Sequence, residues 1–419
     1  MVRASGPWWY KPRMSEPVPA ASPALTPSQG GLLQFQVTHT DGAARRGKLQ
    51  LAHGPVDTPQ FMPVGTVASV KALAPDDLNA IGAQIILGNT YHLLLRPGPE
   101  LVEEMGGLHR FMSWGGSVLT DSGGFQVYSL AGQRKITEEG ALFQSHLDGK
   151  KHMLSPETAM EIQGRLGADV LMCFDECPPA KSEREHHVQA LERTTRWARR
   201  CKTAWQERRG LPDQLGPAGE KGPGYRIGNL FGIVQGGLFQ DLRARHASEI
   251  AELDLPGNAL GGFSVGEEPP RMWEGVQHAA PLLPAHKPRY LMGVGTPEDL
   301  LRCALAGVDL FDCVMPTRVA RNGLLFTSRG RLQIKAARYA RDQRPADEGC
   351  RCYTCKTFTR GYLRHLFASE ELLAYRLNSL HNLTFYLDLM AGLRAAIEQG
   401  TAQAYVDARL AAFAAGPDA

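Results

Sequence analysis

The sequence predicts an α/β fold, a (β/α)8 barrel, and two observations support this prediction. Eight short apolar runs recur along the chain, and each ends in Gly, Asp, Asn or Gln before a helix-like segment. Short, fully apolar runs are typical of parallel strands that are buried on both faces. Polar residues lie at the ends of these runs, where a barrel of this kind gathers its active site. A doubly wound parallel sheet is the alternative. The runs are FMPVGT from Phe61, IILGNT from Ile85, VLTDSGG from Val118, VLMCFDE from Val170, LFGIVQGG from Leu230, LGGFSVG from Leu260, YLMGVG from Tyr290 and LFDCV from Leu310.

Length and composition narrow the class of protein. The chain has 419 residues, of which 43% are hydrophobic and 21% charged, so that wholesale disorder is excluded. No stretch approaches the roughly 20 continuous apolar residues that a membrane helix needs, and no secretion signal precedes the first run. Eight cysteines are too few for a disulfide scaffold in a chain of this length, which favours a cytoplasmic protein.

Three segments depart from the strand–helix alternation. Residues 1–33 contain six prolines without a period of 2 or 3.6, and we expect a disordered extension. Residues 127–154 alternate apolar and polar side chains around Asp148-Gly149, which predicts a β-hairpin inserted in the barrel. Residues 210–228 are rich in Gly and Pro, which predicts a flexible loop. The barrel is expected to span 34–312.

Composition changes after the eighth run, in a region expected to span 313–419 and to place the C-terminal helices against the barrel. From Cys313 to His365 there are twelve Arg and Lys residues but only three acids, although the net charge of the whole chain is only +3. A charge run ordinarily forms a solvated helix face. An excess of this size instead favours phosphate binding.

A metal site is predicted inside this basic region. Cys350, Cys352 and Cys355 lie within six residues, and His381 follows in HNLTFY. Three thiolates and one imidazole complete a tetrahedral shell, so we expect one structural zinc ion with no open position for water. Spacing alone leaves His365 open as an alternative to His381. Three free cysteines in a loop, or a redox pair, would also account for the cysteine spacing.

Three acids follow apolar runs, namely Asp121 in TDSGGFQ, Asp175 in FDEC and Asp312 in FDCVMPTR. Any one of them could cap the helix that follows its strand. Three that face one barrel mouth favour a catalytic cluster.

These residues resemble bacterial tRNA-guanine transglycosylase, of the queuine tRNA-ribosyltransferase family. The resemblance runs from about Gln34 to the C-terminus, and the departures are confined to the N-terminal extension and the 210–228 loop. It is carried by GNTYHL, RPGPE, TDSGGFQ, FDEC, IVQGG, GGFSVGE, LMGVG, FDCVMPTR and the cysteine spacing.

The resemblance implies an enzyme that exchanges guanine in tRNA for the queuosine precursor preQ1 by double displacement. Asp312 matches the family's nucleophile, which attacks C1′ of the ribose to give a covalent enzyme–RNA intermediate. Asp121 matches the general acid/base. Such a pair suits an oxocarbenium-like transition state, and two displacements retain the anomeric configuration.

The resemblance also implies a base pocket. Asp175 would accept hydrogen bonds from N1–H and N2–H2 of guanine. Gln235 and the N–H of Gly262 would donate hydrogen bonds to O6. Phe125 and Met292 would cover the two faces of the base. Eukaryotic members have Gly where Val265 stands, so we expect this chain to prefer preQ1 over the larger base queuine. The remaining implied pocket residues are Ser122, Gly123, Gly124 and Cys177.

The implied partners are tRNAs with GUN anticodons (for Asp, Asn, His and Tyr), modified at the wobble position, 34 of the tRNA. Their anticodon loop is single-stranded, which lowers the cost of flipping the base out. A homodimer is also implied. Two segments match RNA-contacting parts of the family, namely Gly293, Val294, Gly295, Thr296, Pro297, Glu298 and Asp299, and Thr317, Arg318, Val319, Ala320 and Arg321.

Three rival functions fit the sequence less well. A metal-dependent barrel hydrolase needs an open metal site, whereas the predicted zinc shell is saturated. A non-catalytic subunit of the same family would lack the nucleophile, but Asp312 and Asp121 are both present. The archaeal branch carries an additional RNA-binding domain, for which we expect no room after His381.

Overall fold

The structure is a computed structural model that describes residues 33–130, 134–209 and 228–416. The extension predicted at 1–33, apart from Leu33, and the loop predicted at 210–228, apart from Gly228, lie outside the described residues. The strands are β1 (Gln34–Asp41), β2 (Ala44–Leu51), β3 (Gly54–Thr58), β4 (Gln60–Met62), β5 (Val64–Gly65), β6 (Ile85–Gly88), β7 (Ser117–Thr120), β8 (Arg134–Ile136), β9 (Ala141–Gln144), β10 (Lys151–Leu154), β11 (Val170–Met172), β12 (Asn229–Val234), β13 (Gly257–Leu260), β14 (Arg289–Leu291), β15 (Leu310–Asp312), β16 (Leu324–Thr327) and β17 (Gly330–Gln333).

The helices mostly alternate with these strands. They are α1 (Pro75–Ile81), α2 (Thr90–Leu95), α3 (Pro99–Glu104), α4 (Gly107–Met112), α5 (Gly124–Leu130), α6 (Pro156–Leu166), α7 (Arg184–Arg209), α8 (Gln240–Ala251), α9 (Pro269–Ala279), α10 (Pro297–Leu305), α11 (Met315–Ala320), α12 (Tyr353–Thr357), α13 (Arg360–Ala368), α14 (Leu372–Glu398) and α15 (Ala402–Ala415), with short 3-10 turns at Ala280–Leu282 and Ala337–Arg341. Among the described residues, no helix is both long and apolar enough to cross a membrane.

The central sheet is a closed parallel barrel. Its strand order is β4-β15-β14-β13-β12-β11-β7-β6-β5. The two ends of this order, β4 and β5, are consecutive pieces of one strand that is interrupted at Pro63, and β4 pairs with β15. The barrel therefore has eight strands, and the predicted (β/α)8 fold is confirmed. One run was misplaced, because β13 ends at Leu260, so that GGFSVG forms the loop after the strand and not the strand itself.

A three-stranded antiparallel sheet, β1-β2-β3, covers the N-terminal end of the barrel and was not predicted from the sequence. Leu49, Leu51 and Val56 of this sheet pack inside the barrel against residues such as Phe231 and Tyr290. Polar contacts hold the sheet in place, since Arg45 forms a buried ion pair with Asp309. The apolar plug keeps water out of the end of the barrel that is opposite to the active-site mouth.

A second anchor joins this sheet to the barrel. Asp169 accepts hydrogen bonds from His53 Nδ1 at 2.8 Å and from His109 Nε2 at 3.1 Å, and the two imidazole rings stack at 3.5 Å. The same carboxylate accepts the N–H of Val118 at 2.8 Å. Asp169 thus ties the β2–β3 turn, helix α4 and strand β7 together.

The insertion after α5 is a three-stranded antiparallel sheet in the order β10-β9-β8. The predicted hairpin is present as β9 and β10, which are joined by the turn that contains Asp148 and Gly149. The third strand, β8, pairs with β9 and was not predicted. It was missed because Arg134–Ile136 has only three residues, two of them charged, so that its pattern resembles a loop.

Helix α14 takes the position of the eighth barrel helix. Its residues Leu383, Tyr386 and Met390 belong to the same core as the barrel helices, and Tyr386 Oη donates to the carbonyl of Gly295 at 2.6 Å. By contrast, Ala374 and Leu377, at its start, pack in a separate small core with residues of β16, β17, α12 and α13. The cysteine-containing segment is therefore an insertion between strand β15 and helix α14, which packs on the barrel as its eighth helix. The barrel thus includes residues after Asp312 as well as before it.

Candidate active site

A cavity of about 170 Å³ lies at the C-terminal mouth of the barrel. Most of the predicted base-pocket residues line it, together with both predicted catalytic acids. These residues are Asp121, Ser122, Phe125, Asp175, Cys177, Gln235, Gly262, Val265, Met292 and Asp312. Polar residues from the ends of different strands therefore lie together at one mouth of the barrel, as predicted.

Asp121 is a buried carboxylate that is held by three donors. Asn89 Nδ2 donates to Oδ2 at 2.5 Å, Gln126 Nε2 donates to the same oxygen at 2.9 Å, and the N–H of Thr90 donates to Oδ1 at 2.8 Å. Burial raises the pKa of Asp121 to about 6, the hydrogen bonds oppose this shift, and the nearby charge of Asp312 adds to it. A carboxyl group with a pKa near the working pH can both give and take a proton, as a general acid/base must.

Asp312 ends strand β15 and is held through one oxygen only. Tyr290 Oη donates to Oδ1 at 2.6 Å, and the N–H of Gly293 donates to Oδ1 at 2.7 Å. Within the described part of the chain, no hydrogen bond to Oδ2 is found. Burial raises the pKa of Asp312, whereas the two donors lower it. The side chain is therefore oriented through Oδ1, and Oδ2 accepts no hydrogen bond from the described residues.

Asp175 follows strand β11 and faces the same cavity. Ser122 Oγ donates to Oδ1 at 3.0 Å, and Gln235 Nε2 donates to Oδ2 at 2.7 Å. Burial raises the pKa of Asp175 to about 6, which leaves it ionised at neutral pH. Its free lone pairs can accept hydrogen bonds from a ligand that presents adjacent N–H groups.

Two glycines permit close approach of the backbone at this site. A Cβ on Gly124 would lie 2.6 Å from the carbonyl oxygen of Asp175. A Cβ on Gly262 would lie 2.4 Å from Gln235 Oε1, and Gly262 also has a φ of +68°. Any larger residue at either position would displace the groups that face the cavity. Gly123, the third predicted glycine, lies beside Gly124 at the start of α5.

Apolar side chains line part of the cavity beside these polar groups. Phe125 is 45% exposed at its rim, Met292 is partly buried, and Cys177 is buried. Val265 lies in the loop after β13, where its N–H and that of Ser264 donate to the carboxylate of Glu267. Apolar walls around a few polar groups suit a flat heteroaromatic ligand.

The two predicted RNA-contacting segments flank the mouth but differ in accessibility. In the segment from Gly293 to Asp299, Gly293 is exposed and Thr296 and Glu298 are partly exposed. Val294, Gly295, Pro297 and Asp299 are buried there, and Asp299 caps helix α10 with Thr296. In the second segment, Arg318 is exposed, Val319 and Arg321 are partly exposed, and Thr317 and Ala320 are buried in α11. Only the exposed and partly exposed residues of the two segments can contact a large ligand directly.

The predicted metal ligands form one group. One ligand atom from each of Cys350, Cys352, Cys355 and His381 lies within 4.8 Å of all the others, so the group could hold a metal ion. His381 Nε2 lies 2.7 Å from the carbonyl oxygen of Phe326, which leaves Nδ1 to face the sulfurs at 3.2 Å from Cys355 and 3.6 Å from Cys352. This second contact fixes the ring as metal-binding histidines require. His365 is exposed and stands outside the group, so the choice of His381 is confirmed.

The residues that hold the two predicted catalytic carboxylates were not predicted from the sequence. Asn89, Thr90 and Gln126 orient Asp121, and Tyr290 orients Asp312. The signal was partly present, because each lies inside or beside a motif, in GNTYHL, TDSGGFQ or YLMGVG. The other missed residues that line the cavity are Leu87, Gly261, Phe263 and Ser264.

Comparison with known proteins adds independent evidence. A family model described as "Queuine tRNA-ribosyltransferase" matches residues 40–415. The queuine tRNA-ribosyltransferase of Oleidesulfovibrio alaskensis is 56% identical over 372 residues, covering 89% of this chain and 94% of that protein. That of Nitratidesulfovibrio vulgaris is 57% identical over 366 residues, covering 87% of this chain and 93% of that protein. The matched region contains every residue that lines the cavity.

Proposed function

Because this chain belongs to the queuine tRNA-ribosyltransferase family, we propose that it exchanges guanine at the wobble position (34) of GUN-anticodon tRNAs for preQ1. The chain is an enzyme of the pentosyltransferase class, which moves a ribosyl group between bases. The product would be a precursor of queuosine. The single observation that supports this reaction best is the pair of carboxylates, buried Asp121 and half-buried Asp312, at one cavity.

The first displacement uses Asp312 as nucleophile. Its free oxygen, Oδ2, attacks C1′ of the ribose, and the C1′–N9 bond breaks with its electron pair passing to the departing guanine. Asp121 gives its proton to that base. The ribose is then esterified to Asp312, and two positioned carboxyl groups suit the oxocarbenium-like transition state.

The second displacement reverses these roles. Asp121, now a carboxylate, takes a proton from the incoming base, whose nitrogen attacks C1′ while the ester bond to Asp312 breaks. The pKa of about 6 at Asp121 supports both transfers, since neither protonation state is strongly disfavoured near neutral pH. Two inversions at C1′ retain the configuration of the nucleoside.

The base is selected by Asp175 and its neighbours. A carboxylate that is already fixed by Ser122 and Gln235 matches the adjacent N1–H and N2–H2 groups of guanine and of preQ1. The second N–H of Gln235 and the N–H of Gly262 would donate hydrogen bonds to O6 of the base. Phe125 and Met292 would cover the faces of the ring, which is the usual way in which an unstacked base is held.

The RNA itself would contact the surface around the mouth. Arg318 is exposed and Arg321 partly exposed on α11, which follows directly after the nucleophile strand. Burial lowers the pKa of Arg321, whose Nη1 is buried without a partner among the described residues. The exposed side chain of Arg318 can reach a phosphate or a base edge of a bound RNA.

The Cys3His group would hold zinc. Three thiolates and an imidazole are a tetrahedral donor set that zinc prefers, and all four positions come from protein. Because His381 lies on α14 and the cysteines lie in the insertion before it, the ion would fasten this insertion to the barrel. Its role would be structural, with no part in the displacement steps.

A homodimer is supported by an exposed aromatic cluster next to the cysteines. Tyr353 is 54% exposed and packs edge-on against Phe358, which in turn stacks on Tyr362. His365 lies near Tyr362. Exposed aromatic groups of this kind are enriched in interfaces, and a second copy would cover them. The site of action would be the cytoplasm, where tRNA is present and the thiol ligands stay reduced.

The test is base exchange with an anticodon stem-loop RNA and labelled guanine. Wild-type protein should incorporate the label, and denaturing gels with a 7-deazaguanine analogue should show a covalent protein–RNA band. Asp312→Asn should lose both but keep RNA binding, because phosphate contacts dominate affinity. Asp175→Asn removes the same charge from the same cavity but keeps the nucleophile, so that its band should be weaker and still present.

A covalent band in Asp312→Asn would remove this residue from the nucleophile role. If the wild type binds the RNA but exchanges no guanine and forms no band, the non-catalytic subunit is the better assignment.

A further inference from the structure

Arg243 is a buried arginine beside the base site that none of the steps above uses. It lies near the start of α8, the helix that follows strand β12, and is 1% exposed. Among the described residues, no carboxylate forms an ion pair with it. Burial lowers the pKa of its guanidinium to about 9, which leaves it charged at neutral pH. The charge of Glu267 acts on it only through space, and a buried cation that forms no ion pair is costly, so its presence here calls for a specific role.

The guanidinium N–H groups donate hydrogen bonds to backbone carbonyls at the ends of two neighbouring strands. Nη1 donates to Val234 at 2.9 Å and to Gly261 at 2.7 Å, and Nε donates to Gly237 at 2.8 Å. Nη2 donates to Gly262 at a longer 3.3 Å. One charged group therefore joins the loops that follow β12 and β13.

These carbonyls belong to the peptide units that present the base-recognising groups. The carbonyl of Gly261 shares its peptide plane with the N–H of Gly262, the proposed donor to O6. The carbonyl of Val234 shares its plane with the N–H of Gln235, which donates to His246 Nδ1 at 2.7 Å. The backbone of Gln235 is thus fixed on both sides of one peptide, and its side chain is directed at Asp175.

The ring of Phe263 completes the arrangement. The guanidinium carbon lies 3.9 Å from its centroid, which is a cation–π contact, and Phe263 is itself buried and lines the cavity. The position of the cation is therefore fixed from the loop side as well.

We propose that Arg243 is a positioning residue for the base, which fixes and polarises the Gly261–Gly262 peptide so that the Gly262 N–H binds O6 more strongly. This inference rests on the proposed function. A cation that donates a hydrogen bond to a carbonyl oxygen withdraws electron density from the N–H of the same peptide group. Hydrogen bonds on the two sides of one peptide group therefore strengthen each other. The effect reaches both displacements, because guanine and preQ1 share O6.

The planar fork of Arg243 is required for this role. Its two Nη1 contacts reach different strands at once, and a lysine ammonium has neither the fixed geometry nor the number of donors in one plane. Arg243→Lys keeps the charge and most of the apolar stem. It should therefore preserve the fold better than Arg243→Met while still loosening the Gly261–Gly262 peptide.

The test compares guanine with 6-thioguanine as the incoming base. The thio compound keeps N1–H and the 2-amino group, so that Asp175 binds it in the same way, but its sulfur is a weak acceptor for the Gly262 N–H. In Arg243→Lys, we expect kcat/KM for guanine to fall roughly tenfold, mainly through KM, while the value for 6-thioguanine changes by less than about threefold. The wild-type preference for oxygen over sulfur would shrink accordingly.

Arg289→Lys is the matched control. Arg289 is also buried and donates to backbone carbonyls, those of Gly307 and Leu283, but it lies at the opposite end of the barrel. Any general loss of stability should lower activity on both bases equally in this variant. Melting temperature and metal content are measured for all variants, and Arg243→Met provides the stronger lesion if it folds.

Equal losses on both bases in Arg243→Lys would overturn the inference, and so would a wild type that does not discriminate between the two bases. The second outcome needs no variant. Failure of the wild type to incorporate guanine at all would instead refute the proposed function, and the two failures are therefore distinguishable.

Discussion

Tyr290 Oη donates a 2.6 Å hydrogen bond to Asp312 Oδ1, and this contact joins two adjacent strands of the barrel at the mouth that holds the cavity. The ring of Tyr290 lies in the barrel interior, where it packs with the apolar side chains of the plug. Burial raises its pKa, so the hydroxyl stays protonated and acts as a donor at every working pH. Asp312, the proposed nucleophile, is thus oriented by a residue of the barrel core together with the N–H of Gly293 in the loop after β14.

We predict that Tyr290→Phe slows covalent intermediate formation roughly tenfold, the cost of about one hydrogen bond to a charged group. The loss of the donor raises the pKa of Asp312 further, so the rate should also need a higher pH to reach its plateau. Single-turnover formation of the covalent band at several pH values measures both effects. Guanine binding should not change, and an unaltered rate would show that the Gly293 N–H suffices.

We predict that base binding weakens as the pH falls through about 6, the pKa to which burial raises Asp175. Above this pH the group is a carboxylate that accepts two hydrogen bonds from the base, and below it the bound proton removes an acceptor. The Kd for 7-deazaguanine should therefore be constant above pH 7 and rise roughly tenfold per unit well below pH 6. Calorimetric titration from pH 5 to 8 measures it. Asp175→Asn should bind weakly with no such slope, and a flat wild-type profile would contradict the assignment.

We predict that Cys352→Ser lowers metal content and melting temperature together. The sulfur of Cys352 faces His381 Nδ1 at 3.6 Å, and loss of one thiolate from a closed four-ligand site costs metal affinity that is coupled to folding. Elemental analysis and thermal denaturation check this. Cys303→Ser is a suitable control, because Cys303 is buried but lies outside the ligand group. Full metal content with an unchanged melting temperature in Cys352→Ser would argue against the site.

We predict that the wild type inserts preQ1 and rejects queuine, and that Val265→Gly shifts the preference toward queuine. Val265 lines the cavity, and its side chain would overlap the cyclopentenediol ring of queuine. Overpacking in a rigid site costs about 1–3 kcal/mol. Competition of the two bases for one tRNA, followed by mass spectrometry, measures the ratio. Comparable incorporation of both bases by the wild type would refute the steric argument.

The sequence alone was enough to predict what depends on local spacing. A run of four to six apolar residues followed by Asp or Gln encodes a buried strand and the polar group at its end, and both are fixed by neighbouring residues. The Cys350–Cys355 spacing likewise brings three thiolates together, because a single short turn connects them. Asp121, Asp175 and Asp312 could therefore be assigned to one mouth as soon as the barrel was predicted.

Only the tertiary structure decided what depends on contacts distant in sequence. Tyr290 and Asp312, or Asn89 and Asp121, meet because their strands are neighbours in the closed barrel, and no local pattern records which polar side chain will face which. The choice of His381 over His365 followed from burial and from the Phe326 carbonyl, 55 residues away, that fixes its ring. The carbonyl bonds of Arg243 were hidden for the same reason, since a lone arginine in a helix has no sequence signature until the ends of two strands are placed against it.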